Sequence, residues 1–89
     1  MISVDVPTLF EFWAEWCQPC KQQHVELDRL SQIKPDLKIV RYSIEEAPDL
    51  VAMWEVKTLP FMVYVEPSKS PLNIAGFATA EKIISRFGI

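Results

Sequence analysis

Residues 8–33 switch hydrophobic period once, and that switch constrains the fold more than any other feature. Thr8 to Trp13, TLFEFW, is dense in β-branched and aromatic residues and reads as a buried strand. After Cys17 the pattern changes. In CKQQHVELDRLSQI, Cys20, His24, Leu27 and Leu30–Ser31 recur at helical spacing, while Gln22, Gln23, Glu26, Asp28 and Arg29 fall largely outside the stripe. Pro35 closes this helix, because the residue before a proline is pushed out of the helical region. Leu37 to Ile44, LKIVRYSI, reads as a second strand. A strand, a helix and a strand in succession ask for a parallel crossover and an α/β architecture.

The remainder extends the same layers. Ala47-Pro48-Asp49 opens a helix running to about Val56, with proline tolerated in a first turn. Phe61 to Val65, FMVYV, is a third strand without a polar break, hence a central one. Pro67 to Pro71 is a turn, and Leu72 to Phe77 a fourth strand, which this short link makes antiparallel to the third. Thr79 is placed to cap a last helix with Ile83, Ile84 and Phe87 inward and Glu81 and Lys82 outward. No repeat or linker interrupts residues 1–89, which read as one domain.

Composition removes several function classes. A net charge of −3, with nine Lys and Arg residues scattered along the chain, leaves no electrostatic footprint for nucleic acid or an anionic membrane. No apolar run approaches the ~20 residues of a membrane span. The opening MISVDVPTLFEF lacks a basic stretch followed by a long apolar one, so a cytoplasmic location is expected.

Both cysteines lie in WAEWCQPC, residues 13–20. Four readings are open: a redox pair, a structural disulfide, part of a metal site, or two inert thiols. A structural zinc needs about four ligands, and this chain has two cysteines and one histidine, so no metal site is expected. A disulfide over so short a span constrains little of the unfolded chain. The placement favours redox chemistry. Cys17 falls where the strand ends and the helix begins, and unpaired N–H groups with roughly half a positive charge stabilise a thiolate there. Cys20, one turn on, is near enough to close a small disulfide ring. Pro19 suits the first turn and stiffens it, and Trp16 is placed to shield the pair. Cys17 would attack a substrate disulfide and Cys20 would resolve the mixed disulfide.

FWAEWCQPCK, followed about forty residues later by KTLP and then by a glycine-containing strand, resembles the thioredoxin family from Thr8 to the C-terminus. The resemblance implies a thioredoxin-like fold and protein-disulfide reduction without a bound cofactor, with electrons from a thioredoxin-reductase-like flavoprotein. It makes Cys17 the attacking and Cys20 the resolving cysteine, and matches Trp16 and Pro19 to the family's motif. Pro60 falls on the family's cis-proline, with Thr58-Leu59 beside the disulfide to pair with extended substrate. Gly76 matches a glycine that lets substrate backbone approach. Glu11 matches a buried acid behind the second cysteine and is a candidate proton acceptor for Cys20; its strand face, shared with Leu9 and Trp13, suggests partial burial.

The sequence also departs from the family. Gln18 stands where the motif commonly has glycine, which bears on redox poise. Val25 replaces a proline that kinks the helix, and Arg41 replaces a lysine near the buried acid. His24, on the inward stripe, is expected to be a partly buried residue without a chemical role, tuning the pair being its alternative. Only seven residues precede the first strand, too few for a further crossover. The expected sheet therefore has four strands in the order 2-1-3-4, with three helices. Leu37 to Ile44 forms an edge guarded by Lys38 and Arg41. A monomer is expected, with a weak dimer through that edge as its alternative. Two competing functions are a module that docks extended segments beside Pro60 and a glutathione-linked, glutaredoxin-like enzyme.

Overall fold

The chain crosses one sheet four times and covers both of its faces. The structure, a computed structural model, describes residues 4–89. Its elements are β1 (Thr8–Trp13), α1 (Gln18–Ile33), β2 (Lys38–Ser43), α2 (Pro48–Met53), β3 (Phe61–Val65), β4 (Leu72–Ala75) and α3 (Ala80–Phe87). The strands lie in the order β2-β1-β3-β4. β1 and β2 are parallel, as their helical connection requires, while β3 runs antiparallel to both β1 and β4.

Side chains alternate across β1 and sort the core into two halves. Leu9 joins Met62, Tyr64 and Ile74 from the sheet, Leu27 and Leu30 from α1, and Ile83 and Phe87 from α3. On the opposite face Phe10 and Phe12 join Phe61, Val63 and Val65 beneath α2, and Leu50 and Val51 of that helix, with Trp54 just after it, pack on them. The Trp54 ring meets Phe12 edge-on at 5.8 Å. Each such buried side chain contributes roughly 1.5–3 kcal/mol. Glu11 is the exception on the first face. It lies between β2 and β3, opposite Arg41 and Met62, on a fully buried position.

Several boundaries differ from the sequence reading. β2 omits Leu37 and Ile44. α2 ends at Met53 rather than near Val56, and Glu55 beyond it takes a left-handed backbone at φ 51°. β4 stops at Ala75 instead of Phe77, because Gly76 turns at φ 89° and leaves the ladder. Gln23, assigned to the outer face from its polarity, is completely buried. Thr79 caps α3 by accepting a hydrogen bond from the Lys82 N–H at 3.2 Å, and Gly88 ends the helix in the left-handed region.

Candidate active site

The end of β1 and the start of α1 bring the cysteines together. Cys17 has extended backbone angles as the residue preceding α1, and its N–H donates to the Ala14 carbonyl at 3.1 Å, closing the turn between strand and helix. Gln18 and Pro19 form the first helical positions, where proline loses no hydrogen bond. Cys20 follows on the inner face. Cys17 and Cys20 form a disulfide with Cα atoms 5.4 Å apart. Cys17 is 4% exposed and Cys20 1%, so the first is the more accessible.

The cover over the disulfide is not the expected one. Trp16 is 74% exposed, a correction to its reading as a shield. Ala14, Trp13, Ile44 and Leu59 pack against the sulfur pair instead. The tryptophan was singled out by its sequence neighbourhood, but the turn needed to start α1 sends its side chain outward.

Across from the disulfide, the Leu59–Pro60 peptide is cis and Pro60 is buried, while Thr58 is exposed. The Pro60 carbonyl accepts a hydrogen bond from the Gly76 N–H at 2.8 Å, which ties the end of β4 to the start of β3. A Cβ on Gly76 would meet nothing within 4 Å. Its positive φ therefore demands glycine, and the space in front of it is open.

Behind the disulfide, Glu11, His24 and Arg41 converge. Glu11 is 0% exposed and its Oε1 lies 3.1 Å from Nε2 of His24, whose side chain is 29% exposed. The approach is off the hydrogen-bonding line, so both carboxylate oxygens and Nε2 lack an aligned partner. Burial pushes the Glu11 carboxyl up to about 8, with the Arg41 charge acting in the opposite direction. Burial and then Arg41 hold His24 below its usual value, against the pull of Asp28. Arg41 is anchored outside this group by donating from Nη2 to Asp28 Oδ1 at 2.9 Å. The burial of Glu11 is complete rather than partial, because α1 lies directly across that face of β1. His24 is partly buried as read, yet it touches the acid.

Two residues escaped the sequence reading. Gln23 donates from Nε2 to the Ala78 carbonyl and accepts at Oε1 from the Ala78 N–H, both at 2.9 Å. Glu26 Oε1 accepts from the Ala80 N–H at 2.9 Å, at the start of α3. Together they clamp the segment after Gly76 onto α1 and so fix the glycine relative to the disulfide. The signal was present in the spacing: Cys20, Gln23, Leu27 and Leu30 form a strict i, i+3, i+7, i+10 stripe, and polarity masked it.

Among the described residues no group of three or more His, Cys, Asp or Glu side chains is arranged to hold a metal ion, and no helix is long and apolar enough to cross a membrane. The arrangement offers a sulfur pair that can exchange electrons with another disulfide, and it holds a buried carboxyl 3.1 Å from an imidazole.

Comparison with known proteins places this geometry. The family model described as Thioredoxin matches residues 1–87. Thioredoxin M4, chloroplastic, of Arabidopsis thaliana is 30% identical over 98% of this chain, which spans 47% of that protein, about half its length. The thioredoxin of Mycoplasma genitalium is 29% identical over 98% of this chain and 85% of its own. Among solved structures, chloroplastic thioredoxin z superposes with a TM-score of 0.81 at 30% identity, covering 94% of this chain and 77% of its own.

Proposed function

The chain belongs to the thioredoxin family, and from that premise we propose that it is a thiol–disulfide oxidoreductase that reduces disulfides in extended protein segments by dithiol exchange. The observation that carries this reading is the Cys17–Cys20 pair at the N-terminus of α1, with Cys17 the more exposed residue of the two.

In the reduced protein, the Cys17 thiolate attacks one sulfur of the substrate disulfide, and the other sulfur leaves as a thiolate. The helix N-terminus lowers the energy of the attacking anion. Cys20, deprotonated in turn, attacks Sγ of Cys17; the mixed disulfide breaks, and the second substrate sulfur departs. Substrate gains two electrons and the cysteine pair loses them. Thr58 and Leu59 offer backbone beside the cis peptide, and Gly76 leaves room opposite, so an extended segment fits between them. Trp16, Pro19 and Leu59 supply apolar contact. Gln18 sits between the sulfurs and bears on the potential, while Glu11 handles the proton of Cys20. No bound cofactor takes part. Reoxidised protein is returned to the dithiol by a thioredoxin-reductase-like flavoprotein, in a reducing compartment such as the cytoplasm.

Insulin reduction tests the reading. Wild type is expected to accelerate precipitation of the insulin chains and Cys17→Ser to lose this activity entirely. Equal rates for the two proteins would leave only a segment-docking module. Cys20→Ser should accumulate a covalent mixed disulfide with substrate, visible by mass spectrometry under non-reducing conditions.

A further inference from the structure

Glu11 presents a mechanistic difficulty. A carboxyl with no exposure must exchange protons with solvent each time it serves a cysteine, and the protein surrounds it on all sides. Leu9 and Trp13 flank it along β1, Met62 faces it from β3, and α1 lies across it. Among the described residues, His24 is the titrating side chain that touches this carboxyl and also reaches the outside. His24 touches Glu11 Oε1 through Nε2 at 3.1 Å while the rest of its ring is partly exposed. It also lines, with Cys20, Trp13, Ala14, Glu15 and Lys21, a cleft of about 430 Å³ open to solvent. Trp13 stands edge-on to the imidazole at 5.4 Å and 87°, which limits its rotation.

We propose that His24 is a proton relay between the buried Glu11 carboxyl and solvent. The inference rests on the proposed reaction, which supplies the proton to be moved. In the direction of substrate reduction, protonated Glu11 first passes its proton to Nε2 of neutral His24, and the imidazolium releases a proton from Nδ1 to water; the carboxylate so formed takes the proton of the Cys20 thiol. When the Cys17–Cys20 disulfide is reduced again, Cys20 leaves as a thiolate and the flow reverses. Glu11 protonates Cys20, water protonates Nδ1, and the Nε2 proton moves to the emptied carboxylate. The first half-reaction leaves the ring with its proton on Nε2 and the second returns it to Nδ1, so one full cycle restores the tautomer. No proton or electron is left over.

The charged groups around the relay fit the assignment. Arg41 on β2 and Asp28 on α1 face it as a mutually bonded pair, Lys21 and Glu15 line the cleft, and β3 contributes only Met62. Burial keeps Glu11 protonated at neutral pH and His24 neutral, so the donor is loaded and the acceptor is empty in the resting state. The Nε2–Oε1 separation of 3.1 Å is within hydrogen-bonding distance, so alignment of the two groups completes the transfer path.

Stopped-flow reduction of the Cys17–Cys20 disulfide by dithiothreitol, followed by tryptophan fluorescence between pH 5.5 and 9, isolates this step without a protein substrate. His24→Ala should slow Cys20 protonation roughly tenfold, less than the 10²–10⁴-fold of a directly acting acid or base, with added imidazole restoring the rate. His24→Asn, polar but without a titrating nitrogen near neutrality, should behave alike and guards against a misfolded alanine variant. Glu11→Gln should be slow and insensitive to imidazole, and the combined variant no slower than Glu11→Gln alone. A wild-type rate and pH profile in both His24 variants overturns the relay, as do losses that imidazole does not repair or that multiply in the combined variant. If insulin is not reduced by wild type while imidazole rescue is seen, the proposed function falls and the relay stands.

Discussion

Glu11 has a folded-state pKa of about 8 against 4.5 for its ordinary value. The unfolded chain therefore releases this proton first, and the folded chain holds it. Stability from this group is fully present below pH 4.5 and is lost progressively as pH rises to about 8, where the loss levels off. The total is on the order of 5 kcal/mol at 1.36 kcal/mol per unit. His24 acts in the opposite sense, since its lowered pKa costs stability as pH falls through the acid range. Urea unfolding of wild type and Glu11→Gln at pH 5, 7 and 9 separates the two. The variant is expected to gain on wild type from pH 5 up to about pH 8 and little beyond it, and a constant difference would show that the carboxyl is not held protonated by the fold. Gly76 is a second residue-scale case. Because φ is 89° with nothing crowding its Cβ position, Gly76→Ala should cost about 1 kcal/mol through backbone strain alone. Thermal unfolding checks the stability. Insulin reduction should also slow, because the methyl group stands in the space left for substrate.

At the scale of elements, the clamp from α1 to α3 decides how well the site is held. Gln23 satisfies both polar groups of Ala78, 55 residues away, in a buried position. Gln23→Leu keeps the apolar stripe but strands the Ala78 N–H and C=O, at a cost of about 1–3 kcal/mol for each unsatisfied group. The expected outcome is a lower urea midpoint together with faster amide hydrogen exchange at Gly76, Phe77 and Ala78. A lower midpoint with unchanged exchange there would place the damage elsewhere. Glu26 contributes a weaker share at the start of α3, since its carboxylate also pairs with the exposed Arg29. The strand and helix types, their order and the Thr79 cap are legible in residue pattern because apolar period and cap chemistry are local. Where α2 and β4 stop is not, because those ends are set by left-handed backbone at Glu55 and Gly76.

At the scale of the molecule, the sheet order leaves β2 as an edge with Lys38 and Arg41 exposed along it. These charges disfavour pairing with a second copy, and sedimentation velocity at micromolar concentration is expected to give a monomer near 10.3 kDa. A dimer whose mass halves on Val40→Pro would instead identify the edge as an interface. The two interior strands, β1 and β3, carry the site at the same end of the sheet. β1 delivers the cysteines and β3 begins at the cis peptide.

The amino-acid order by itself determined the α/β alternation, the four-strand sheet and the pairing of two thiols at a helix start, since each follows from period, turn chemistry and spacing within a few residues. It also marked Glu11 as an acid in an apolar strand. Tertiary structure decided the rest. Only packing of α1 across β1 makes Glu11 fully buried, sets the imidazole of His24 against it, turns Trp16 outward and draws Gln23 inward to Ala78. Those outcomes depend on which groups from distant segments compete for the same space and the same hydrogen bonds. Local pattern carries no record of that competition.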